Sequence, residues 1–154
     1  MKKVKGIINL IVLVALIMLS TGCINKKALT PEKFKEKMEE RKFVVGDATD
    51  QFTTKNYIKK MYVAQNKDLT YQIEYYSMTS ETKAKDFYES KKTMFEKVSN
   101  TSNSTISKGN NSKYSQTGGG KYSVVSRIDN TVIILDVAKE YKEEINEILK
   151  DLDY

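Results

Sequence analysis

The stretch that decides the fold is Tyr122 to Val137, YSVVSRIDNTVIILDV. Two runs rich in Val and Ile, Tyr122 to Ile128 and Thr131 to Val137, are separated only by Asp129-Asn130. That pair tolerates the positive φ angles of a type I′ turn, so the pattern predicts a tight antiparallel hairpin. In the second arm Val132-Ile133-Ile134-Leu135 is apolar at every position. A strand with one wet face alternates, and this one does not, which predicts a central strand covered on both sides. A helix follows, with Tyr141, Ile145, Ile148, Leu149 and Leu152 on one stripe and charges elsewhere.

The same order, hairpin then helix, occurs upstream. Tyr57 to Ala64 and Leu69 to Tyr76 read as two strands around the turn-rich Gln65-Asn66-Lys67-Asp68. In the second arm Leu69, Tyr71, Ile73 and Tyr75 alternate with polar neighbours, the period of a half-buried strand. A helix is predicted from Glu81 to Val98, capped by Thr79 or Ser80. Ala84, Phe87, Tyr88, Lys91, Met94, Phe95 and Val98 share one face, with Lys91 its lone polar member. The two copies share too few residues to establish a duplication. Before them, a helix is expected from Pro31 to Arg41, with Thr30 as N-cap, Pro31 where a missing N–H costs nothing, and Leu29 stapled on Phe34. Phe43-Val44-Val45 reads as a short strand.

Between the two units, residues 99–121 are polar; 17 of these 23 are Ser, Thr, Asn or Gly. A structureless loop of that length is uncommon in a compact domain. Weak alternations around Thr105 to Ser107 and Ser112 to Thr117, with Gly109-Asn110-Asn111 between them, suggest a polar edge hairpin. Gly118-Gly119-Gly120 lacks the spacing and the Lys-Ser or Lys-Thr of a phosphate loop and is expected to be a mobile turn. The whole order predicts a single α+β domain over residues 30–154, with a mainly antiparallel sheet and its three helices collected on one face.

Composition removes much familiar chemistry. The 154 residues include no His, no Trp and one Cys. There can be no Ser-His-Asp triad, no Cys-His dyad, no imidazole metal site and no internal disulfide.

The single cysteine, Cys23, closes a distinctive start. Met1-Lys2-Lys3-Val4-Lys5 is cationic, Ile7 to Leu19 is apolar except for Asn9, and Leu19-Ser20-Thr21-Gly22-Cys23 follows. A basic start, a short apolar run and a small residue before a cut form the pattern of a secretory signal peptide. The run is shorter than the roughly 20 apolar residues of a membrane-spanning helix. Leu19 to Cys23 resembles the lipobox of bacterial prolipoproteins, although Leu19 stands one place further out than in the commonest pattern. The resemblance implies a signal peptide at residues 1–22, cleavage between Gly22 and Cys23, and lipidation of Cys23. It places the mature domain on the extracytoplasmic face of the cell membrane. Richness in Lys, Asn and Ile is similar to that of small uncharacterised lipoproteins of Gram-positive bacteria, a likeness of composition that carries no activity.

If so, residues 23–29 form a short tether. Its six residues from Ile24 to Leu29 reach roughly 20 Å when extended, which keeps the domain near the headgroups. Loss of the signal removes three lysines and lowers the formal net charge from +6 to about +3. That balance points away from nucleic acid. Lys26, Lys27, Lys33, Lys35 and Lys37 surround the tethered end, but Glu32, Glu36, Glu39 and Glu40 interleave with them, which favours a solvated helix over a lipid-binding patch.

No catalytic, cofactor-binding or metal-ligating residue stands out. Asp47-Ala48-Thr49-Asp50 places two acids three apart, yet lacks the acid-rich alternation of a calcium loop and reads as a turn. The expectation is a non-enzymatic binding or accessory module whose partner is an envelope or membrane protein. Tyrosines on strands suit such an interface, with Tyr71 and Tyr75 in the core and Tyr62, Tyr76 and Tyr114 the better candidates for exposure. The alternatives are a binder of a small ligand or anionic envelope polymer, and a hydrolase without His. An aromatic-lined pocket would favour the ligand binder; a flat exposed face would favour the protein partner.

Overall fold

The structure is a computed structural model that describes residues 25–52 and 55–154. The expected signal peptide, with Gly22 and the lipidation candidate Cys23, lies outside the described residues. The elements run α1 (Pro31–Glu40), β1 (Val44–Asp47), a 3-10 turn (Thr49–Phe52), β2 (Ile58–Gln65), β3 (Gln72–Met78), α2 (Glu81–Glu96), β4 (Ser102–Lys108), β5 (Asn111–Gly118), β6 (Lys121–Ile128), β7 (Thr131–Ala138), a second 3-10 turn (Lys139–Tyr141) and α3 (Lys142–Asp151). All seven strands form one antiparallel sheet in the order β1-β2-β3-β7-β6-β5-β4. It is an α+β fold made of two meanders joined where β3 pairs β7.

The central strand sits where its sequence requires. Thr131 to Leu135 of β7 are all buried. Alternate residues divide between two cores. Ile133, Leu135 and Val137 join Phe34 and Met38 of α1 and Ile145, Ile148 and Leu149 of α3. Val132 and Ile134 join Ala84 and Tyr88 of α2. The helices are therefore not collected on one face: α1 and α3 cover one side of the sheet and α2 the other. The reason is β7 itself, because a strand apolar on both faces must be roofed twice. The same split argues against a rotational repeat. A two-fold axis exchanging the antiparallel neighbours β3 and β7 stands perpendicular to the sheet and would keep both following helices on one side.

Local chemistry sets the boundaries. The Thr30 hydroxyl accepts from the Lys33 N–H at 3.3 Å and Ser80 does the same for Lys83 at 3.2 Å, so α1 and α2 start at side-chain caps, whereas α3 continues from the 3-10 turn without one. In the β2–β3 loop the Asn66 carboxamide oxygen accepts from the N–H groups of Thr70 and Tyr71 at 2.9 and 3.1 Å. This holds Leu69 in the loop at φ 55°, so β3 begins at Gln72 and not at Leu69. The polar segment is a real hairpin, β4 paired to β5 over the whole length of β4. Gly119 and Gly120 turn β5 into β6 with φ of 57° and 75°, values that cost glycine little. Asp129 takes φ 49° in the β6–β7 turn.

Residues 26–29 are not a free tether. The Lys26 N–H donates to the Asn110 carboxamide oxygen at 3.0 Å, and the Asn110 amide donates back to the Lys26 carbonyl at 2.7 Å. The Tyr75 hydroxyl donates to the Leu29 carbonyl at 2.5 Å, and Ala28 and Leu29 pack on the α1/α3 core. The chain enters the domain strapped to the β4–β5 turn. Of the five lysines near this end, Lys26 pairs with Asp153, Lys33 with Glu36, Lys35 with Glu39 and Lys37 with Asp151.

Candidate functional site

α2 is one helix on a seven-stranded face. It packs against β6, β7 and β3 and leaves β1 and β2 without a roof. The uncovered part is a groove of about 730 Å³. Its floor is made by the residues whose side chains alternate to this side: Val44 and Gly46 of β1, Met61, Val63 and Gln65 of β2, and Gln72, Glu74 and Tyr76 of β3. One wall is α2, through Phe87, Ser90, Lys91 and Met94. The other end is closed by the 3-10 turn and the chain after it, through Gln51, Phe52, Lys55 and Tyr57. A second hollow of about 220 Å³ shares Gln72, Glu74, Lys91 and Met94 and continues over Ile134 and Asp136.

Aromatic rings organise the floor. Tyr76 stands between Phe52, edge-on at 6.3 Å between centroids, and Phe87, tilted at 4.8 Å. Its hydroxyl donates to Glu74 Oε2 at 2.7 Å, and Gln72 Nε2 donates to Glu74 Oε1 at 3.0 Å. Burial, and then the Glu74 carboxylate beside it, holds the Tyr76 phenol well above its ordinary pKa, so it stays a neutral donor. Two cations sit over rings at the rim: Lys55 Nζ is 5.4 Å from the Phe52 centroid and Lys91 Nζ is 5.5 Å from that of Phe87. Such contacts stabilise by roughly 0.5 to 1 kcal/mol each at exposed positions.

Gly46 completes the geometry. A Cβ built on it would meet nothing within 4 Å, so the floor beside the sheet edge is bare backbone. Among the described residues β1 is an edge strand, paired only with β2, and Val44 is 63 % exposed.

Asp47 and Asp50 do not converge on a cation site. Asp47 accepts from Lys60 Nζ at 2.5 Å and from the Thr49 N–H and hydroxyl at 3.0 and 2.5 Å. Those bonds, the lysine's first, hold its carboxyl down at about 2. Among the described residues no group of three or more His, Cys, Asp or Glu side chains is placed to hold a metal.

The tyrosine expectations divide. Tyr71 and Tyr75 are in the core and Tyr62 is half-buried, but Tyr76 and Tyr114 are 3 % and 1 % exposed. The expectation that these two are exposed is therefore corrected: both lie in the core that α2 covers. Conversely, Met94 and Val98 belong to the apolar stripe expected of α2 yet are 55 % and 45 % exposed. The groove was not foreseen. Its one signal in the sequence is Lys91, the polar member of that stripe, which stands on the wall where the helix overhangs empty sheet. No protein-family model, curated protein or solved structure matches the chain.

Proposed function

We propose that this chain is a lipid-anchored, extracytoplasmic binding domain that takes its ligand in the groove between α2 and strands β1 to β3. The observation that carries the reading is the groove: a concave, aromatic-floored site with polar groups at defined places is how proteins commonly hold ligands. It favours a ligand held in a groove over a partner docked on a flat face. Glu74, already bound by Tyr76 and Gln72, is read as an acceptor that fixes orientation, and no residue is given a catalytic role.

The lipobox-like start supports placement at the membrane through Cys23. Because Lys26 is strapped to Asn110, only Ile24 and Asn25 lie between the anchor and the body, a link of roughly 10 Å. The β4–β5 turn then lies next to the lipid, on the opposite edge of the sheet from the groove. Two acyl chains suffice for stable attachment.

Two measurements test the reading. Intact-mass analysis of the membrane fraction is expected to give a chain beginning at Cys23 with added acyl mass, and Cys23→Ala is expected to abolish both the acyl mass and cleavage before residue 23. An unacylated mature protein overturns the anchor. A photo-crosslinker at Val44 in intact cells is expected to capture a species that the same probe at Glu147, on α3, does not. Identical capture at both positions overturns the groove.

A further inference from the structure

We propose that the groove's occupant is an extended peptide segment of a partner protein, added as an eighth strand to the free edge of β1, with apolar and acidic side chains alternating into the groove. This rests on the reading above and names its ligand.

Three observations converge on that class. The groove runs along the strands, from Tyr57 and Phe52 near the start of β2 to Gln65 and Gln72 where β2 gives way to β3. A ligand lying in it is therefore parallel to β1. Among the described residues the edge of β1 beyond β2 is unpaired, and alternate residues of an edge strand turn N–H and C=O away from the sheet. Those groups recur at the spacing of another peptide and at no spacing natural to a polyphosphate or a sugar chain. β1 has no Lys, no Pro and no bulge against β2, and its one charge, Asp47, is paired with Lys60, so its protection is its shortness, four residues. The other edge, β4, is exposed at all seven positions, ends in Lys108 and is lined by Ser, Asn and Thr. One edge of this sheet is defended by polarity and the other is left apolar beside a groove.

Side-chain chemistry selects the peptide. An added strand places every second residue on the groove side, next to Gly46, whose missing side chain leaves room for one from outside. Val44, Val63, Phe52 and Phe87 ask for apolar groups there. The groove's charges ask for acids. Asp47 is paired with Lys60, whereas Lys55 and Lys91 form no ion pair among the described residues, and the one carboxylate that also lacks one, Glu74, is held by the neutral donors Tyr76 and Gln72, so two cations stand against one carboxylate. Main-chain pairing gives affinity and alternate side chains give register, as in other cases of strand addition.

The test is a selection of random heptapeptides on the full-length protein in detergent micelles, with Gly46→Trp as the counter-target. Tryptophan at this position fills the groove without meeting protein atoms near its Cβ, and equal unfolding midpoints verify that the variant is folded. The expected result is at least tenfold enrichment on wild type over Gly46→Trp of sequences that carry apolar residues and Asp or Glu in turn at every second position, i, i+2 and i+4, the positions that share the groove side. The double variant Lys55→Glu, Lys91→Glu is expected to invert the preference toward Lys and Arg. Addition of an enriched peptide is expected to slow amide exchange within Val44–Asp47 and leave β4 unchanged. Equal enrichment on Gly46→Trp, protection of β4 in place of β1, or displacement of the peptides by inorganic polyphosphate each overturns the inference. If Val44 crosslinks a polymer or a small molecule in cells while heptapeptides show no enrichment, the groove remains a binding site and only its occupant is wrong.

Discussion

The two faces of the sheet are made from the same strands and end differently. On the α1/α3 side, Phe34, Met38, Ile145, Ile148 and Leu149 are buried, and residues 28–29 seal the margin. On the α2 side, one helix covers three strands, and Met94 in its last turn stands exposed on the groove wall, with Val98, just past its end, exposed as well. The difference teaches that an apolar stripe fixes a helix's axis and leaves open how much of its length finds a partner. Two helices close all but the β4 margin of their face, where Ile106 stays exposed; one leaves more surface, and in this protein that surface carries the aromatic cluster.

Substitutions should separate the faces sharply. Ile148→Ala is expected to destabilise by about 3 to 4 kcal/mol in urea unfolding, the cost of a cavity in a closed core. Phe87→Ala, at the half-buried groove wall, should cost about 1 to 2 kcal/mol, because solvent already reaches the ring. If Phe87→Ala costs as much as Ile148→Ala, the groove is part of the core and not a site. Tyr75→Phe removes the bond to the Leu29 carbonyl and should cost about 1 kcal/mol, together with faster amide exchange confined to residues 26–30. Met94→Ala should lie within about 0.5 kcal/mol of wild type.

The smallest effect is in acid. Asp47, at the end of the groove, has its carboxyl lowered from 3.8 to about 2 in the folded state. A lowered pKa means that the native state resists protonation, so this contribution is complete above about pH 4 and is lost as pH falls toward 2. Asp47→Asn should flatten the stability profile in that window and leave the neutral range little changed. Unaltered acid sensitivity in Asp47→Asn would assign it elsewhere, Asp151 being the other lowered carboxyl, held by Lys37 and Arg41.

Much of the fold was legible because short-range rules decide it. The caps at Thr30 and Ser80, the hairpin around Asp129-Asn130 and the two-sided burial of β7 follow from residue type and period alone. The pattern of β7 also contained the answer to where the helices go, since a strand buried on both faces excludes helices on only one. The local patterns around Tyr76 and Tyr114 do not carry that long-range consequence, which is why residue type alone leaves both at the surface. The groove was less legible for a different reason. It depends on where α2 crosses the sheet, which is set by packing among Ala84, Tyr88, Met78 and Val125, residues that are distant in sequence. Nothing in the stripe itself distinguishes Phe95, which packs against the core, from Met94, which does not.

The strap at residues 26–29 also determines how the domain bears a load. A pull applied through the chain before Asn25 reaches the Lys26–Asn110 pair first, then the Tyr75–Leu29 bond, and only then α1. These contacts lie one after another along the pulled segment, so they open singly, like a peeled strip, at low force. The strands of β1 and β2 lie beyond α1 in that path. Tension would lengthen the strap by a few residues before it disturbed the edge at which a partner strand could add, giving the domain a mechanical fuse between its point of entry and its groove.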